Sequence, residues 1–513
     1  MKSQLYKSLV FLLLPLLLKY LFLALFVDWS VVEIGDLCED FLFFMSLVLL
    51  QISNILKSRF FTNALCFLYV FYIALETTSY IAISTNFTSS YMFLLIESNQ
   101  RELSEFVSSY INFKIILFLI LMGISFLIIK KIKFENKNFV KQGLGIFIFL
   151  GIIAALKFTG LIEKNAYYNT VRGVYGYFDL QNSVNFNSKL SKEDIKVSSN
   201  NEVLVFVLGE STTRRHMQLY GYSRETTPLL NSIEDRLFVY DNVISTDVFT
   251  LKVVPKMITS LDETNTRTTV TSLVQVFNNA GFKTFWLANQ RPISYHDNAI
   301  NKIASYCYDH KFYNYKDDVY TNILDEVVLS DYSEILKEPG KKVIFIKLLG
   351  THFNYSKRYP KSFAKFLSDE KSNKEDKLTN QYDNAVLYND FIVYTLIKEL
   401  ENTNTKSTLL YLSDHGENVY HEGTDFFGRN EQRLTKSMFE IPFFVWTSKT
   451  FDFPEAFQYQ RKRAFMTDHI YESVSHLLGV KHKDMDFTRS IFSKNFKKRK
   501  RIIVNGIDFD NSF

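Results

Sequence analysis

"TLLYLSDHGENVYHEG", residues 408–423, joins an apolar run to a dense group of polar side chains. The run is rich in Leu and Tyr and has the composition of a buried strand. The polar residues that follow it at once are Asp414, His415, Glu417 and His421. Carboxylate and imidazole groups are common metal ligands, so this stretch predicts a metal site at the end of a buried strand.

The same pattern, an apolar run that ends in a polar residue, recurs through residues 201–513. The other runs are "VLVFVLGES" (203–211), "KTFWLANQ" (283–290), "KVIFIKLLGTH" (342–352) and "EIPFFVWTS" (440–448). Helical patterns lie between them, such as "NAVLYNDFIVYTLIKELE" (384–401) and "TDHIYESVSHLLG" (467–479). Fully apolar strands that alternate with helices predict an α/β domain, with a mainly parallel sheet covered by helices on both faces.

Several candidate ligands directly follow these predicted strands. In open α/β sheets, ligands bind beyond the carboxyl ends of the strands. We predict that Glu210, Asp414 and His415 bind Zn²⁺ or a similar divalent ion, with one position left open for a reacting group. His352 and His421 would then bind a second ion or a phosphate. On the residues alone, the alternative is that the Asp-His pair has only a capping or structural role.

Residues 1–163 differ in composition, with mostly Leu, Ile, Phe and Val and none of the nine histidines. They predict a transmembrane domain of five helices, because a spanning helix needs about 20 mostly apolar residues. The five runs are 8–27, 38–56, 61–84, 113–130 and 143–163. Residues 164–200 predict a linker with some short helix near the membrane surface, which leaves 201–513 as a soluble domain. The competing interpretation, a buried helical core, is disfavoured because the runs are long and nearly uncharged.

Charged residues in the short loops predict the orientation of these spans. The N-terminus, the loop with Lys57 and Arg59, and "KKIKFENKNFVK" (130–141) are basic. They should be cytoplasmic, and an odd number of spans then places 201–513 outside the cytoplasm. The net charge of +5 gives no reason to expect nucleic-acid binding. Cys307 is the lone cysteine of the soluble part, so we expect that part to be held by its core.

Four stretches together resemble the phosphoethanolamine transferases, inner-membrane enzymes of Gram-negative bacteria that are related to sulfatases and alkaline phosphatases. They are "VFVLGESTTRRHMQLYGYSRETTPLL" (205–230), "GTHFNYSKRYP" (350–360), "QYDNAVLYNDFI" (381–392) and "SDHGENVYHEG" (413–423). The resemblance covers essentially the whole chain. It implies five spans, a periplasmic catalytic domain, and one tightly bound Zn²⁺ with the option of a second. "GESTTRRHMQLYGY" (209–222) is most similar to members that modify lipid A or the lipopolysaccharide core.

The family's nucleophile is a threonine in a loop followed by Val-Pro. The matching segment here is "VFTLKVVPKMITSL" (248–261), which implies Thr250. Metal coordination lowers the pKa of a hydroxyl, and a helix that starts near residue 251 would add the positive end of its dipole. On the residues alone, Ser245 and Thr246 are rivals. Better-known members have disulfide-forming cysteines around this loop. Here Phe249 and Lys256 stand instead, and we expect packing of Phe249 to hold the loop.

The resemblance implies a transfer in two steps. Thr250, bound to Zn²⁺ with the three predicted ligands, attacks the phosphorus of phosphatidylethanolamine, and diacylglycerol leaves. An acceptor on lipopolysaccharide, either lipid A or a core sugar, then takes phosphoethanolamine from the threonine. His352 and His421 match family positions that contact the phosphate, a second zinc or the leaving group, and one of them is the candidate proton donor. We expect a monomer in the bacterial inner membrane.

Two further segments are expected to bind the headgroup of the donor lipid. "IESNQRELSEFV" (96–107) resembles a family segment whose glutamate reaches the active site. Glu102 matches that glutamate best, with Ser98 beside it, although a solvated acidic loop would look the same. After "WLANQ", the candidates for contact with the ethanolamine group are Ser294, His296 and Asn298.

Three other functions fit parts of the sequence. A lipoteichoic-acid-type synthase shares the spans, the threonine and the metal, but moves glycerol phosphate; "GYSRETTP" (221–228) and "THFNYSKRYP" (351–360) favour the ethanolamine branch. A membrane-anchored phosphatase or sulfatase would transfer the group to water. A sulfatase needs a C/S-x-P-x-R motif, which the nucleophile loop lacks. A non-enzymatic protein that has lost its site is disfavoured because every expected ligand is present.

Overall fold

The structure is a computed structural model of the chain. It describes residues 2–52, 59–98, 100–131, 142–182, 185, 188–263, 269–290, 299–314, 322–424 and 426–513. The chain forms two compact units, Met1–Asp179 and Leu180–Phe513. Each unit has a core of its own, apolar helix packing in the first and a sheet with helices in the second.

The described part of the first unit is built from α-helices with short connections. They are α1 (Lys2–Phe26), α2 (Ile34–Ile52), α3 (Arg59–Ile83), α4 (Ser89–Glu97), α5 (Gln100–Tyr110), α6 (Phe113–Lys131), α7 (Gln142–Phe158) and α8 (Ala166–Asn182). The last of these continues past the boundary between the units. It also lies in the segment 164–200, for which a linker is predicted, so much of that segment is helical.

Two of the described helices are long and apolar enough to cross a membrane. They are α3 over Phe60–Ile83 and α6 over Phe113–Lys131. Shorter apolar segments occur at Leu12–Phe26 and Gln142–Phe158. The predicted run 38–56 extends into residues 53–58, which lie outside the described residues. The number of five spans therefore remains a prediction.

A buried ionic cluster connects α1, α2 and α3. The Lys19 ammonium donates to Asp40 Oδ2 at 2.5 Å and to Glu76 Oε2 at 2.7 Å. Glu39 lies beside them, and each of the four side chains is at most 2% exposed. We call Lys19, Glu39, Asp40 and Glu76 the first-unit cluster. Charges inside an apolar helix bundle are tolerated when they are paired in this way.

The second unit alternates strands and helices. Its α-helices are α9 (Pro228–Asn231), α10 (Thr250–Ile258), α11 (Leu273–Asn279), α12 (Ala299–Ala304), α13 (Val327–Lys337), α14 (Lys374–Asn402), α15 (Ile470–Leu477) and α16 (Phe509–Ser512). The strands are β1 (Lys196–Val197), β2 (Val203–Gly209), β3 (Leu237–Val239), β4 (Val243–Ile244), β5 (Lys283–Ala288), β6 (Asp309–Phe312), β7 (Lys342–Lys347), β8 (Ser407–Ser413), β9 (Asn418–Val419), β10 (Phe427–Gly428), β11 (Phe443–Thr447), β12 (Phe465–Met466), β13 (Val480–Lys481), β14 (Ile502–Ile503) and β15 (Ile507–Asp508).

Among the described residues, seven of these strands form the central sheet, in the order β3-β11-β8-β2-β7-β5-β6. β2 is parallel to β7 and β8, and β5 is parallel to β6 and β7. β11 runs antiparallel to both of its neighbours, β3 and β8. The predicted mainly parallel sheet is therefore a mixed sheet with one reversed strand, formed by the run "EIPFFVWTS".

The central strands β2, β7 and β8 are buried on both faces, which explains why they lack a polar and apolar alternation. Val205 and Val207 of β2 pack in one core cluster with side chains of α13 and α14. Leu204 and Phe206, which point to the opposite face, are at most 1% exposed. Every residue of β8 is buried as well.

The register of the strands determines which side chains meet at the sheet edge. Gly209 at the end of β2 aligns with Ser413 at the end of β8. Glu210 and Asp414, the next residue in each segment, therefore emerge side by side. Lys347 ends β7, the neighbour of β2 on its other side.

Two glycines allow the backbone to pass close to this edge. Gly350 has a φ of 52°, and a Cβ atom there would lie 2.9 Å from the carbonyl oxygen of Glu210. A Cβ atom on Gly416 would lie 2.0 Å from the carbonyl oxygen of Ser437. The glycines of "GTH" and "DHG" are therefore required by close backbone approach.

Candidate metal centre and nucleophile

Three predicted ligands meet at this edge of the sheet. Ligand atoms of Glu210, Asp414 and His415 lie within 4.8 Å of one another, and all three residues are buried. His415 Nε2 is 3.3 Å from Glu210 Oε1 and 3.6 Å from Asp414 Oδ2. A compact set of carboxylate and imidazole donors suits a divalent ion such as Zn²⁺.

Hydrogen bonds to the backbone orient two of these ligands. Asp414 Oδ1 accepts the backbone N–H groups of Ser211 at 3.1 Å and His415 at 2.8 Å, which turns Oδ2 toward the other ligands. His415 Nδ1 lies 2.9 Å from the carbonyl oxygen of Gly416. A proton on Nδ1 satisfies that carbonyl and leaves the Nε2 lone pair for a cation. The donor set therefore fits a metal ion in chemistry as well as in spacing.

Thr250 begins α10 and reaches the same three side chains. Its Oγ1 lies 2.7 Å from Asp414 Oδ2, 3.1 Å from Glu210 Oε2 and 3.4 Å from His415 Nε2. The rival Ser245 instead donates its hydroxyl to a carbonyl of its own loop at 2.9 Å. The N-terminus of α10 also places partial positive charge at the Thr250 oxygen.

Lys347, which the sequence analysis did not single out, balances the charge of the ligands. Its ammonium is 2.8 Å from Glu210 Oε2 and 3.2 Å from Asp414 Oδ2, and the side chain is 2% exposed. Burial would raise the pKa of Glu210, but Lys347 and His415 hold that pKa well below its usual value. Burial would lower the pKa of Lys347, and the two carboxylates raise it above its usual value. We call Glu210, Asp414, His415 and Lys347 the site cluster.

Two more side chains that the sequence analysis missed contact the site cluster. Gln290, which follows β5, donates its amide to Glu210 Oε2 at 2.9 Å. Arg429 Nη1 lies 2.5 Å from His415 Nε2, and Arg429 Nε lies 3.4 Å from Glu417 Oε2. Gln290 had a usable signal, because it ends the apolar run "KTFWLANQ". Arg429 lies in a connection without periodicity, and only the tertiary fold brings it here.

The structure places the two predicted phosphate-binding histidines differently. His352 is partly buried and lies within electrostatic range of Glu210 and His415. His421 packs edge-on against His216, with ring centroids 4.8 Å apart. Burial lowers the pKa of each of these two histidines to about 3, so both are neutral at neutral pH.

The nucleophile loop is held by packing and ion pairs. Phe249 is 6% exposed, and Lys252 Nζ and the Arg429 guanidinium each lie 5.8 Å from the centre of its ring. Lys252 also donates to Glu431 Oε1 at 2.5 Å. Cys307 is a free thiol. The structure thus shows the packing expected of Phe249.

The residues predicted to bind the donor headgroup are described only in part. Ser98 follows α4, and Glu102 lies on α5 of the first unit. Ser294, His296 and Asn298 belong to the segment 291–298, which lies outside the described residues. Their headgroup-binding roles stay predictions.

Comparison of the sequence with known proteins identifies the family. The sulfatase family model matches residues 202–480, which is more than half of the chain. Phosphoethanolamine transferase EptC of Escherichia coli O18:K1:H7 (strain RS218 / NMEC) is 30% identical over 471 residues, which cover 83% of this chain and 81% of that protein.

Solved structures agree with this assignment. The C-terminal periplasmic domain of EcEptC from Escherichia coli, in complex with Zn, is 34% identical with a TM-score of 0.59 and covers 62% of this chain and 95% of that one. The integral membrane protein lipooligosaccharide phosphoethanolamine transferase A (EptA) from Neisseria meningitidis has a TM-score of 0.71 at 21% identity, over 96% of this chain and 98% of that one. At that identity the second match shows the fold alone. The chain belongs to the phosphoethanolamine transferase family and carries that family's sulfatase domain.

Proposed function

We propose that this protein transfers phosphoethanolamine from phosphatidylethanolamine to lipopolysaccharide, at lipid A or a core sugar, through Thr250. One observation carries this proposal: the Thr250 hydroxyl lies at a helix N-terminus, 2.7 Å from Asp414 Oδ2 and inside a buried ligand set. A threonine hydroxyl is a weak nucleophile unless its surroundings activate it. Membership of the family supports the reaction class. The resemblance of residues 209–222 to members that modify lipopolysaccharide supports the acceptor.

The cofactor in this proposal is one Zn²⁺, held by Glu210, Asp414 and His415 with Thr250 as the fourth ligand. Zinc, when bound, lowers the pKa of a coordinated hydroxyl and offsets negative charge on phosphoryl oxygens. The zinc complex of the EcEptC domain supports the choice of metal. A second zinc is not needed for the steps below.

In the first step, the Thr250 oxygen bonds to the phosphorus of the donor, and the bond from phosphorus to the diacylglycerol oxygen breaks. The Thr250 hydroxyl loses a proton and the diacylglycerol oxygen gains one. Neutral diacylglycerol therefore leaves, and Thr250 carries phosphoethanolamine as a phosphodiester. In the second step, an oxygen of the acceptor bonds to the same phosphorus and the bond to Thr250 breaks. Thr250 regains a proton and the site is restored, which is covalent catalysis.

Proton movement in these steps involves groups next to Thr250. Asp414 Oδ2 is the nearest acceptor for the hydroxyl proton, at 2.7 Å. His352 and His421 are the candidates that protonate the leaving oxygen. Because the pKa of each is lowered to about 3, each must accept a proton before it can donate one. His352 lies beside the site cluster and is the better placed of the two.

We also propose that the first unit spans the inner membrane five times and places the second unit in the periplasm. The apolar lengths of α3 and α6, the basic loops, and the fold shared with an integral membrane protein support this placement. Glu102 and Ser98 would bind the amine of the donor, and the segment 291–298 would bind the rest of its headgroup. The protein would act as a monomer.

The test is a transfer assay with purified full-length protein, Zn²⁺, phosphatidylethanolamine and lipopolysaccharide, followed by mass spectrometry of the lipids. We expect released diacylglycerol and lipopolysaccharide that is heavier by one phosphoethanolamine, with neither product from Thr250→Ala. Fragmentation assigns the added group to lipid A or to the core. Transfer of glycerol phosphate from phosphatidylglycerol would instead identify a lipoteichoic-acid-type synthase, and release of phosphoethanolamine into water would identify a hydrolase.

The reaction has a consequence in cells that can be measured separately. Phosphoethanolamine carries an amine, so its addition reduces the net negative charge of the outer surface. We expect cells that express the protein to survive higher concentrations of cationic antimicrobial peptides than cells that express Thr250→Ala. Equal sensitivity, together with unmodified lipid A, would contradict lipid A as the acceptor.

A further inference from the structure

We propose that Arg429 binds the non-bridging oxygens of the phosphoryl group as it moves to and from Thr250. This inference rests on the proposed function, because it assigns a further catalytic residue to the same site. Arg429 directly follows β10, which lies outside the central sheet, and this distinguishes it from the predicted ligands, which follow strands of the central sheet. Its side chain is 11% exposed.

Distances place the guanidinium within reach of a group carried by Thr250. Arg429 Nη1 and Thr250 Oγ1 both lie next to His415 Nε2, at 2.5 Å and 3.4 Å respectively. The separation of Nη1 and Oγ1 is therefore at most the sum of these two distances. A phosphorus bonded to Oγ1 holds its other oxygens one bond further from the threonine. A phosphoryl group on Thr250 therefore brings its other oxygens within reach of the guanidinium.

The guanidinium is held in this position from two sides. Arg429 Nε lies 3.4 Å from Glu417 Oε2, and Glu417 is itself fixed by a 2.8 Å hydrogen bond from the Tyr355 hydroxyl to Oε1. The ring of Phe249 packs 5.8 Å from the guanidinium carbon. An arginine that is already oriented gives up little side-chain entropy when it binds an anion.

The two buried cations of the site have different surroundings. Lys347 is engaged by two carboxylates, at 2.8 Å and 3.2 Å, so its charge is already used. Arg429 has longer contacts with carboxylates, 3.4 Å to Glu417 and 3.7 Å to Glu210. A guanidinium has five N–H donors in a planar fork that matches two oxygens of a phosphate. Arg429 Nη1 also lies 2.5 Å from His415 Nε2, a contact that bound zinc would replace. The guanidinium would then have donors available for an anion, whereas Lys347 stays between two carboxylates.

This contact would contribute in both steps of the transfer. Negative charge spreads over the non-bridging oxygens in the transition state, and fixed donors stabilise that charge most in a site without bulk water. Arg429 keeps its proton throughout, and no bond to it forms or breaks. Its role is electrostatic stabilisation and alignment of the phosphoryl group.

The experiment compares Arg429→Gln, Arg429→Lys and wild-type protein, all full length and loaded with Zn²⁺. The rate of phosphoethanolamine addition to Thr250 is followed by intact-protein mass spectrometry with phosphatidylethanolamine. The affinity for inorganic phosphate is measured by calorimetry. We expect Arg429→Gln to slow the addition about a hundredfold or more, as for loss of one oxyanion donor, and to weaken phosphate binding about tenfold. Arg429→Lys should fall between, and zinc content should equal that of wild type.

Arg236→Gln is the matched control, because the Arg236 guanidinium also packs on an aromatic ring, 5.9 Å from the centre of the Trp446 ring. Trp446 pairs with Leu409 near the start of β8, whereas Asp414 follows the end of β8. We expect this variant to change the rate and the phosphate affinity less than threefold. If Arg236→Gln has the same effect as Arg429→Gln, or if the loss tracks lost zinc, Arg429 acts through stability or the metal and the proposal is wrong.

The double variant Arg429→Gln/Glu417→Gln separates binding from folding, because it leaves no unpaired buried carboxylate. We expect it to regain the stability of wild type but not its rate. A regained rate would contradict the proposal. If phosphate binding depends on Arg429 and wild type forms no adduct, the anion site is supported while the proposed function fails.

Discussion

Each unit of this protein contains a buried cluster of acids around one lysine. In both clusters, three possible ligand atoms lie within 4.8 Å of one another. In both, the lysine bonds two carboxylates: Lys347 in the site cluster and Lys19 in the first-unit cluster. Spacing and burial are therefore similar in the two places. The first-unit cluster has three carboxylates, whereas the site cluster has two carboxylates and an imidazole.

In both clusters the carboxylates accept hydrogen bonds from the protein, but no histidine lies in the first unit. Tyr72 Oη donates to Glu39 Oε2 at 2.5 Å, and the Asn165 amide donates to Glu39 Oε1 at 2.7 Å. The backbone N–H of Ala166 donates to Glu76 Oε1 at 3.2 Å. In the site cluster, the third possible ligand is an imidazole, and Thr250 Oγ1 lies 2.7 Å from Asp414 Oδ2. An imidazole nitrogen beside carboxylates is the donor set that suits zinc.

The largest expected difference between the clusters is in metal binding. Asp414→Asn removes a proposed ligand, and even outer-shell partners of a metal contribute ten- to hundredfold in affinity. We expect zinc affinity to fall by more than about a hundredfold and transfer to fall with it. Glu39→Gln, the matched change in the first-unit cluster, should keep wild-type zinc content, as measured by elemental analysis of purified protein. Zinc loss from Glu39→Gln would show that the first-unit cluster also holds metal.

The second difference is whether zinc can restore the stability that is lost when the lysine is removed. Lys347→Met leaves Glu210 and Asp414 buried without their cation, which costs about 3–5 kcal/mol in a buried ion pair. Zinc binds the same carboxylates, so we expect added zinc to restore most of the lost unfolding free energy. Denaturant unfolding with zinc and with EDTA measures this. A loss that zinc leaves unchanged would mean that Lys347 holds the carboxylates in a geometry that the metal cannot replace.

Lys19→Met makes the same change in the first-unit cluster. We expect a loss of stability of similar size, about 3–5 kcal/mol, because Asp40 and Glu76 lose their cation. Here zinc should restore nothing, since the first-unit cluster has no imidazole nitrogen to add to its carboxylates. The thermal midpoint of detergent-solubilised protein with and without zinc tests this. Recovery with zinc would show that the first-unit cluster binds metal as well.

The smallest expected effect comes from the lowered pKa of one buried histidine of the second unit, His476. Burial lowers the pKa of His476 to about 4, from the usual value of about 6.5. Between these values the unfolded chain binds more protons, so His476 destabilises the fold as pH falls from about 6.5 to 4. We expect His476→Gln to be less acid-sensitive, by up to about 1.4 kcal/mol per pH unit in that window. Parallel stability curves for variant and wild type would contradict the lowered pKa.

The ligand positions could be predicted from the sequence because each follows an apolar run without a gap. Glu210 and Asp414 come one residue after β2 and β8, so the parallel register alone brings them together. Thr250 needed the family resemblance, since three hydroxyl residues in that loop looked alike. The structure then showed which of them reaches the acids.

Features that depend on distant segments could not be predicted in this way. An apolar run does not report its direction, so the reversal of β11 was not foreseen. Arg429 lies in a loop with no period, and its approach to His415 follows from the connection between β10 and β11. Lys347 was visible as a charge at the end of "KVIFIK", but a lysine there more often extends to solvent than pairs with metal ligands.

The most direct test of Thr250 as the nucleophile is intact-protein mass spectrometry. Zinc-loaded full-length wild type and Thr250→Ala are each incubated with phosphatidylethanolamine and compared. We expect a mass gain of one phosphoethanolamine on the wild type, located on Thr250 by peptide mapping, and no gain on the variant. A gain on both proteins, or on another residue of the wild type, would contradict Thr250 as the nucleophile. No gain on either protein, with zinc bound and the lipid intact, would contradict a covalent transfer from this donor.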